Sequence, residues 1–167
     1  MNDEQLYTVV DGRGAMTVLE IYIKTSPERL WDAITDSEMR KRYSFGVGIE
    51  SDWKEGSEYL ARVPGVVDIS SGENVEVDPP RRLVQTFKAL WSEDVEREGT
   101  SRVTWEIEQV GDSCQLRVIH DQLPEGANNQ LWGGWPMILS GLKTLLETGE
   151  DLTTPGSLMY ANDGAWS

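Results

Sequence analysis

The amino-acid sequence predicts a single α+β domain in which an antiparallel sheet packs against a long C-terminal helix. Three observations indicate this fold class: alternating apolar residues over 16–24, short β segments separated by turn residues over 45–121, and apolar residues at helical spacing over 135–149. At 167 residues the chain has the usual size of one domain. We place this domain at 16–150, after an N-terminal extension at 1–15 and before a flexible polar tail at 151–167.

The first strand and two short helices are predicted from local patterns. Apolar and polar residues alternate over 16–24, so that one face of the strand carries Leu19, Ile21 and Ile23. Ser26 can cap a helix that begins at Pro27, because proline fits the first helical turn without losing a hydrogen bond. A second short helix is predicted over 36–42, where Asp36 offers another helix start.

The segment 45–121 is predicted as an antiparallel meander of about six strands. Its clearest part is a hairpin that turns at Gly111-Asp112, and the buried face of this hairpin carries Val103, Trp105, Ile107, Leu116 and Val118. If the alternation persists, His120 points inward with them. We interpret the acidic stretch 93–98 as a solvated loop between two strands.

The longest helix is predicted near the C-terminus, where apolar residues recur at helical spacing. They are Trp135, Ile138, Leu139, Leu142, Leu145 and Leu146. Gly149 follows as a residue that can end the helix. Gly133-Gly134 and Pro136 interrupt the first half, since glycine weakens a helix and proline cannot donate its backbone hydrogen bond. We therefore expect this half to kink, fray or begin late.

Composition excludes several classes of partner. A formal net charge of −14 repels the phosphates of nucleic acid and anionic lipids, so we expect neither nucleic acid nor a membrane as a partner. No stretch is apolar enough to span a bilayer and the N-terminus lacks a signal-peptide pattern, so we expect a cytoplasmic protein. Cys114, the only cysteine, is interpreted as a buried structural thiol.

The motifs of several chemistries are missing from the sequence. It contains no Gly-x-Ser-x-Gly elbow, no phosphate-binding glycine loop and no dinucleotide fingerprint after the first strand. One histidine and one cysteine do not form a set of metal ligands. We therefore expect no metal and no cofactor.

Three strings carry a resemblance to a known superfamily: IYIKTSPERLWDAITDSEMRKRY at 21–43, ENVEVDPPRRLVQTF at 73–87, and GGWPMILSGLKTLLETG at 133–149. With the order of elements, they resemble the helix-grip (Bet v 1-like) superfamily, which includes START domains and the birch-pollen allergen. Within it they are similar to the activator-of-Hsp90-ATPase-like branch. The resemblance covers about residues 16–149.

The resemblance implies a sheet of about seven antiparallel strands wrapped around the last helix, with a cavity between them and two short helices closing one end. Family members are often ligand binders, and a few are cyclases or hydrolases. In such a cavity we expect the ligand to contact Trp31, Phe87, Trp105, His120, Trp132, Trp135 and Leu139. The alternative for the aromatic residues is ordinary core packing. A shifting helix start at 133–136 is the expected entrance.

Three functions follow, in order of preference. The first is binding of a small hydrophobic or aromatic molecule in the cavity. The second is a cyclase or dehydratase, in which His120 or an inward-facing Glu20 moves a proton. The third is interaction with an Hsp90-type chaperone, a partner that we do not expect because the extra N-terminal domain of the eukaryotic co-chaperone is missing from this sequence. A homodimer is left open.

Overall fold

The computed structural model of the protein describes residues 5–11, 14–123 and 134–154. In chain order these residues form β1 (Gln5–Asp11), β2 (Gly14–Ile23), α1 (Pro27–Thr35), α2 (Ser37–Tyr43), β3 (Gly48–Ser51), β4 (Glu58–Val63), β5 (Val67–Asp78), β6 (Arg82–Ala89), α3 (Glu93–Glu96), β7 (Thr100–Val110), β8 (Ser113–Leu123) and α4 (Trp135–Thr148). The predicted α+β class and the order of its elements are confirmed.

The strands form one antiparallel sheet in the order β1-β2-β8-β7-β6-β5-β4-β3. The pairing of β2 with β8 joins the first strand of the predicted domain to its last strand, while β3 to β8 pair in chain order. The sheet has eight strands in the described part of the chain, one more than the expected seven or so. The extra strand is β1, which pairs with β2 from Gln5 opposite Glu20 to Asp11 opposite Gly14.

Both short helices begin where their capping residues predict. The Ser26 hydroxyl accepts a hydrogen bond from the Arg29 amide at 3.2 Å, and Pro27 occupies the first position of α1. The Asp36 carboxylate accepts from the Met39 amide at 2.9 Å and so begins α2. These contacts satisfy amides that a helix start leaves without partners, and they hold α1 and α2 after β2 as predicted.

The β7–β8 hairpin is also confirmed, and its turn sets the register of the candidate site. Gly111 adopts a φ of 61°, which a two-residue hairpin turn favours and which glycine adopts without steric cost. Val110 pairs with Ser113 across this turn, and the same register then places Val103 opposite His120. A hairpin turn about ten residues away therefore determines which residues surround His120.

Helix α4 begins late, as expected, at Trp135 and with Pro136 in its first turn. Among the described residues, no side chain caps its N-terminus, where Gly134 is the N-cap residue. The helix ends at Gly149, which adopts a φ of 79° and donates its amide to the Leu145 carbonyl at 2.8 Å. Local capping therefore stabilises the end of α4 more than its start.

The acidic stretch 93–98 contains a short helix, whereas the sequence predicted a loop. Residues Glu93–Glu96 form α3, one turn of helix whose Val95 amide is capped by the Ser92 hydroxyl. Val95 is fully buried against Ala89 and Leu123. One apolar residue in an acidic run therefore anchors the segment, and the carboxylates remain exposed on the other side of the turn.

The beginning of the predicted tail lies against the helices. Asp151 forms an ion pair with Arg42 at 2.8 Å, and the Thr154 hydroxyl lies 3.5 Å from Met137 Sδ on α4. Residues 155–167, which the prediction also assigned to a flexible tail, lie outside the described residues.

The main core lies between the sheet and the helices. Its fully buried members come from the inward faces of β2, β7 and β8 and from α1 and α4, and include Leu19, Ile21, Leu30, Trp105, Leu116, Val118, Leu139 and Leu142. A second cluster under β3 and β4 contains Val47, Ile49, Tyr59 and Ala61. Trp53 packs against both clusters and connects them.

Candidate functional site

The candidate site lies where the end of β8 and the beginning of β7 meet the start of α4. His120 is fully buried and shares the inward face of β8 with Leu116 and Val118, so its predicted orientation is confirmed. Trp135 at the first position of α4 is 8 % exposed and lies above it. The site therefore joins the sheet to the one helix N-terminus in the described structure that has no side-chain cap.

A chain of hydrogen bonds fixes the tautomer of His120. The Trp135 indole Nε1 lies 3.3 Å from His120 Nδ1, and an indole N–H can only donate. Nδ1 must therefore accept, which leaves the ring proton on Nε2. Nε2 lies 2.7 Å from Ser101 Oγ, and the Ser101 hydroxyl then donates to the Phe87 carbonyl at 3.3 Å.

Burial keeps His120 neutral. Desolvation lowers the pKa of its imidazole to about 4, because the charged form loses its hydration in the interior, while neighbouring Asp121 opposes this effect. A neutral imidazole is compatible with the aromatic side chains that pack against it. The Phe87 ring lies edge-on at 5.0 Å between centroids, and the Trp135 ring lies edge-on at 6.3 Å.

The residues expected to contact a ligand pack together in the main core cluster. Trp105 and Trp135 contact each other edge to face at 5.4 Å, and Leu139 is fully buried in the same core cluster. Trp31 and Phe87 pack against this cluster as partly buried side chains. Trp132, the remaining candidate, lies outside the described residues. A ligand that occupies the place of the Trp105–Trp135 contact would therefore have to displace Trp135.

Two buried polar atoms near this contact lack a hydrogen-bond partner within the described part of the chain. One is Thr17 Oγ1 on β2, whose residue pairs directly with His120 across the β2–β8 ladder. The other is the Trp105 indole Nε1 on β7. Such atoms are rare in protein interiors, because a buried polar group without a partner costs free energy that exposure to water would avoid.

Glu20 does not belong to this site, and its expected inward orientation is wrong. Its neighbours Leu19 and Ile21 point inward, so Glu20 points to the opposite face of the sheet. There its carboxylate forms an ion pair with Arg117 at 2.8 Å and accepts from Gln115 at 2.7 Å. Glu20 and His120 therefore cannot act on one substrate inside the protein.

Arg40 on α2 is a partly buried charge that sequence patterns did not identify. Its guanidinium carbon lies 5.2 Å from the centroid of the Trp105 ring, and Nη1 donates to the Ile34 carbonyl at 2.7 Å. Its charge also lowers the pKa of the Tyr43 and Tyr59 phenols, although burial is the larger effect and raises both. Arg40 thus lies between the two core clusters.

Cys114 has the structural role that its sequence context indicates. It is fully buried, and its thiol lies 3.3 Å from the Thr25 carbonyl. Burial raises the pKa of the thiol, and neighbouring Glu28 raises it further. The neutral thiol is therefore favoured over the reactive thiolate.

Two concavities are among those that the described residues form, and one of the two adjoins the start of α4. It has a volume of about 290 Å³ and is lined by residues of α2, α4 and the following segment, including Tyr43, Phe45, Met137, Gly141 and Leu152. A Cβ built on Gly134 would lie 3.9 Å from Phe45, which places this concavity beside the helix start. The other, of about 690 Å³, is an acidic groove over β3–β6 that includes Glu50, Glu58 and Glu73.

No three His, Cys, Asp or Glu side chains within 5–11, 14–123 and 134–154 are close enough to one another to hold a metal ion. Among the helices that the structure describes, none is both long and apolar enough to cross a membrane.

An antiparallel sheet packed on a C-terminal helix, with two short helices following β2, defines a helix-grip fold. The family profile described as "Activator of Hsp90 ATPase homolog 1-like protein" matches residues 24–147. This chain therefore belongs to the Activator of Hsp90 ATPase homolog 1-like family, and the predicted resemblance is confirmed. A comparison with curated proteins found no match.

Solved structures with the same fold come from several organisms. CalU16 from Micromonospora echinospora has a TM-score of 0.69 and 21 % identity, and the match covers 99 % of this chain and 95 % of that one. An HSP90 activator from Plasmodium falciparum has a TM-score of 0.65 and 24 % identity, with 78 % and 95 % covered. The Aha1 dimer from Colwellia psychrerythraea has a TM-score of 0.64 and 21 % identity, with 79 % and 96 % covered.

Proposed function

We propose that this protein binds a small hydrophobic or aromatic molecule between the sheet and α4, and that the molecule enters where α4 begins. The observation that carries the proposal is the hydrogen bond from Trp135 to buried His120, which is the only side-chain hydrogen bond linking the first described turn of α4 to the sheet. The family and its fold are consistent with ligand binding. Trp135 acts in this proposal as a gate.

The gate opens at a moderate cost. A neutral hydrogen bond contributes about 0.5–1.5 kcal/mol net, and no side-chain cap adds to the stability of this helix end. The larger cost is exposure of the indole, since burial of an aromatic side chain of about 200 Å² contributes about 5 kcal/mol. A ligand must regain this free energy, so it should be at least as large as the indole that it displaces.

The polar atoms around the gate provide orientation for a ligand. When Trp135 moves, His120 Nδ1 loses its donor and can accept a hydrogen bond from a hydroxyl or amide. Thr17 Oγ1, which has no partner in the described structure, lies on the paired strand and can accept or donate. A mostly apolar ligand with one polar group near these atoms fits this arrangement best.

The most direct test of the proposal is a ligand screen in which NMR monitors the side chains of Trp135 and His120. We would titrate fatty acids, sterols and polycyclic aromatic compounds, and monitor the indole N–H of Trp135 and the ring signals of His120, the sole histidine. Ligands should raise the midpoint of thermal unfolding and move both signals. Trp135→Phe assigns the indole signal and should tighten binding, because the smaller ring lacks the hydrogen bond that closes the gate.

Trp91→Phe provides the matched control, because Trp91 packs against the separate cluster of Ala89, Val95 and Leu123 and is not among the expected ligand contacts. It should leave affinity nearly unchanged. The proposal fails if no compound raises the unfolding midpoint, or if the compounds that bind leave the Trp135 and His120 signals unmoved.

A second candidate function is proton transfer by His120 on a bound substrate. In the closed state both of its nitrogens are engaged, by Trp135 and by Ser101. Displacement of Trp135 would free the Nδ1 lone pair inside a dry pocket, where it could accept a proton. Once a ligand is known, turnover in the unsubstituted protein and its loss in His120→Gln would support this function, and binding without turnover would contradict it.

Only the comparisons with solved structures bear on possible protein partners. One structural neighbour is described as an HSP90 activator and another as a dimer. A chaperone contact would change the ATPase rate of an Hsp90-type chaperone when this protein is added, and we expect no change. Sedimentation velocity at micromolar concentration would decide whether the chain forms a homodimer.

A further inference from the structure

Unlike nearly all the other arginines in the described structure, Arg40 forms no ion pair with a carboxylate. Seven of them form an ion pair with a carboxylate: Arg42, Arg62, Arg81, Arg82, Arg97, Arg102 and Arg117. The two that have no carboxylate partner within these residues are Arg29, which is exposed on α1, and Arg40, which is partly buried. A charge in a protein interior is normally paired, so the position of Arg40 requires an explanation.

The interactions of Arg40 in the described structure are with aromatic side chains and one backbone carbonyl. Its guanidinium lies over the face of the Trp105 ring, and the Tyr43 and Tyr59 phenols are near enough for its charge to act on them. Both phenols already donate their hydrogen atoms to backbone carbonyls, of Ala33 and of Thr86. Only one guanidinium nitrogen has a protein acceptor, the Ile34 carbonyl, so several N–H donors have none among the described residues.

Trp105 supplies another N–H donor without a partner, and its ring connects the surroundings of Arg40 to Trp135. Its indole N–H is buried without a partner, and its side chain is only 1 % exposed. The centroid of the Trp105 ring lies 5.4 Å from that of Trp135 and 5.2 Å from the guanidinium carbon of Arg40. A ligand that takes the place of Trp135 would therefore contact the ring that Arg40 covers.

We propose that Arg40 and the Trp105 indole N–H form an anion subsite, and that the ligand is an amphipathic carboxylic acid with an aromatic or aliphatic body. The inference rests on the proposed binding of a ligand between the sheet and α4. It names the chemical class of that ligand, because a guanidinium presents two parallel donors that match the two oxygens of a carboxylate. The indole N–H supplies a further donor, and the carboxylate supplies the counter-charge that Arg40 lacks.

The test compares naphthalene-2-carboxylate with the neutral naphthalene-2-carboxamide, which has nearly the same shape. We expect the acid to bind about tenfold or more tightly at pH 7, because hydrogen bonds to charged groups in partly buried sites are the stronger ones. Arg40→Met should remove this preference by weakening the acid and leaving the amide unchanged. Trp105→Phe should reduce the preference in the same direction, and Arg40→Lys should retain part of it.

Arg29→Met is the matched control, since it removes the same charge from an exposed arginine that also lacks a carboxylate partner in the described structure. It should leave both affinities unchanged. A ¹³C label in the carboxylate gives an independent measurement: binding beside Arg40 should lower the pKa of the bound acid, and Arg40→Met should abolish this effect. A purely structural role of Arg40 would not change the pKa of the probe.

The outcomes separate the two proposals. If the amide binds as well as the acid, or if Arg40→Met weakens both equally, the anion subsite is wrong while binding between sheet and helix stands. If neither probe binds the unsubstituted protein and the ligand screen is also negative, the proposed function fails and the anion subsite fails with it.

Discussion

Replacement of His120 by glutamine tests the electrostatic description of the site most directly. A glutamine side chain can accept from Trp135 through its carbonyl oxygen and donate to Ser101 through its amide nitrogen, as the neutral imidazole does. It cannot take up a proton in the accessible pH range. His120→Gln therefore removes the titration while it conserves the hydrogen bonds.

The magnitude follows from the pKa of His120 in the two states. The imidazole has a pKa of about 4 when folded and 6.5 as its ordinary value in the unfolded chain. As pH falls below 6.5, the unfolded chain binds a proton that the native protein does not, so the free energy of unfolding decreases. The full effect, present above pH 6.5 and lost by pH 4, is about 3 kcal/mol, of which about 2 kcal/mol falls between pH 7 and pH 5.

The assay is urea unfolding followed by tryptophan fluorescence at several pH values between 5 and 8, with the unsubstituted protein and His120→Gln measured in parallel. The difference between the two removes the contribution of the many carboxylates, which titrate in both proteins. NMR of the sole histidine gives a second measurement, since its ring signal should keep its neutral position down to pH 5. A constant difference between the two proteins, or a histidine that titrates near pH 6.5, would refute the reasoning.

Two further predictions concern packing and the thiol. Gly72→Ala should destabilise the protein by about 2 kcal/mol or more, because a Cβ there would overlap the Thr86 carbonyl oxygen, a rigid backbone atom. Gly141→Ala is its counterpart: the Cβ would lie 3.2 Å from Tyr43 Cβ, and the higher helix propensity of alanine should keep the change within about 1 kcal/mol. Urea unfolding measures both, and similar losses would contradict the difference in crowding. Cys114 should react with a thiol reagent only as fast as the protein unfolds, and rapid labelling under native conditions would contradict the burial of the thiol in the native protein.

Local patterns predicted most of the elements because the physical signals are themselves local. The cap residues Ser26 and Asp36 act on amides three residues away, and glycine at 149 acts on the turn before it. Strand β1 was not predicted, because its stability comes from pairing with β2 rather than from a property of its own residues. Helix α3 was missed because a single buried side chain, Val95, anchors it.

The candidate site was predictable in part. Alternation along β8 gave the inward orientation of His120, and the two-residue turn at Gly111-Asp112 contains enough information to place Ser101 on the neighbouring strand close to it. The contact with Trp135 depends on how α4 crosses the sheet, which no short-range pattern encodes. Arg40 was not found for the same reason, since one of three consecutive basic residues on α2 turns inward without any signal in the sequence.

Strand β1 also determines where the sheet ends. Because β1 pairs along β2 from Gly14 to Glu20, the backbone N–H and C=O groups on that side of β2 are engaged within the chain. A chain shortened to begin at Gly14 would leave these groups without partners along one side of a strand whose inward residues form the core, and such edges readily pair with other chains. The N-terminal strand therefore protects this protein against association through β2, a role distinct from any contribution to the binding of a ligand.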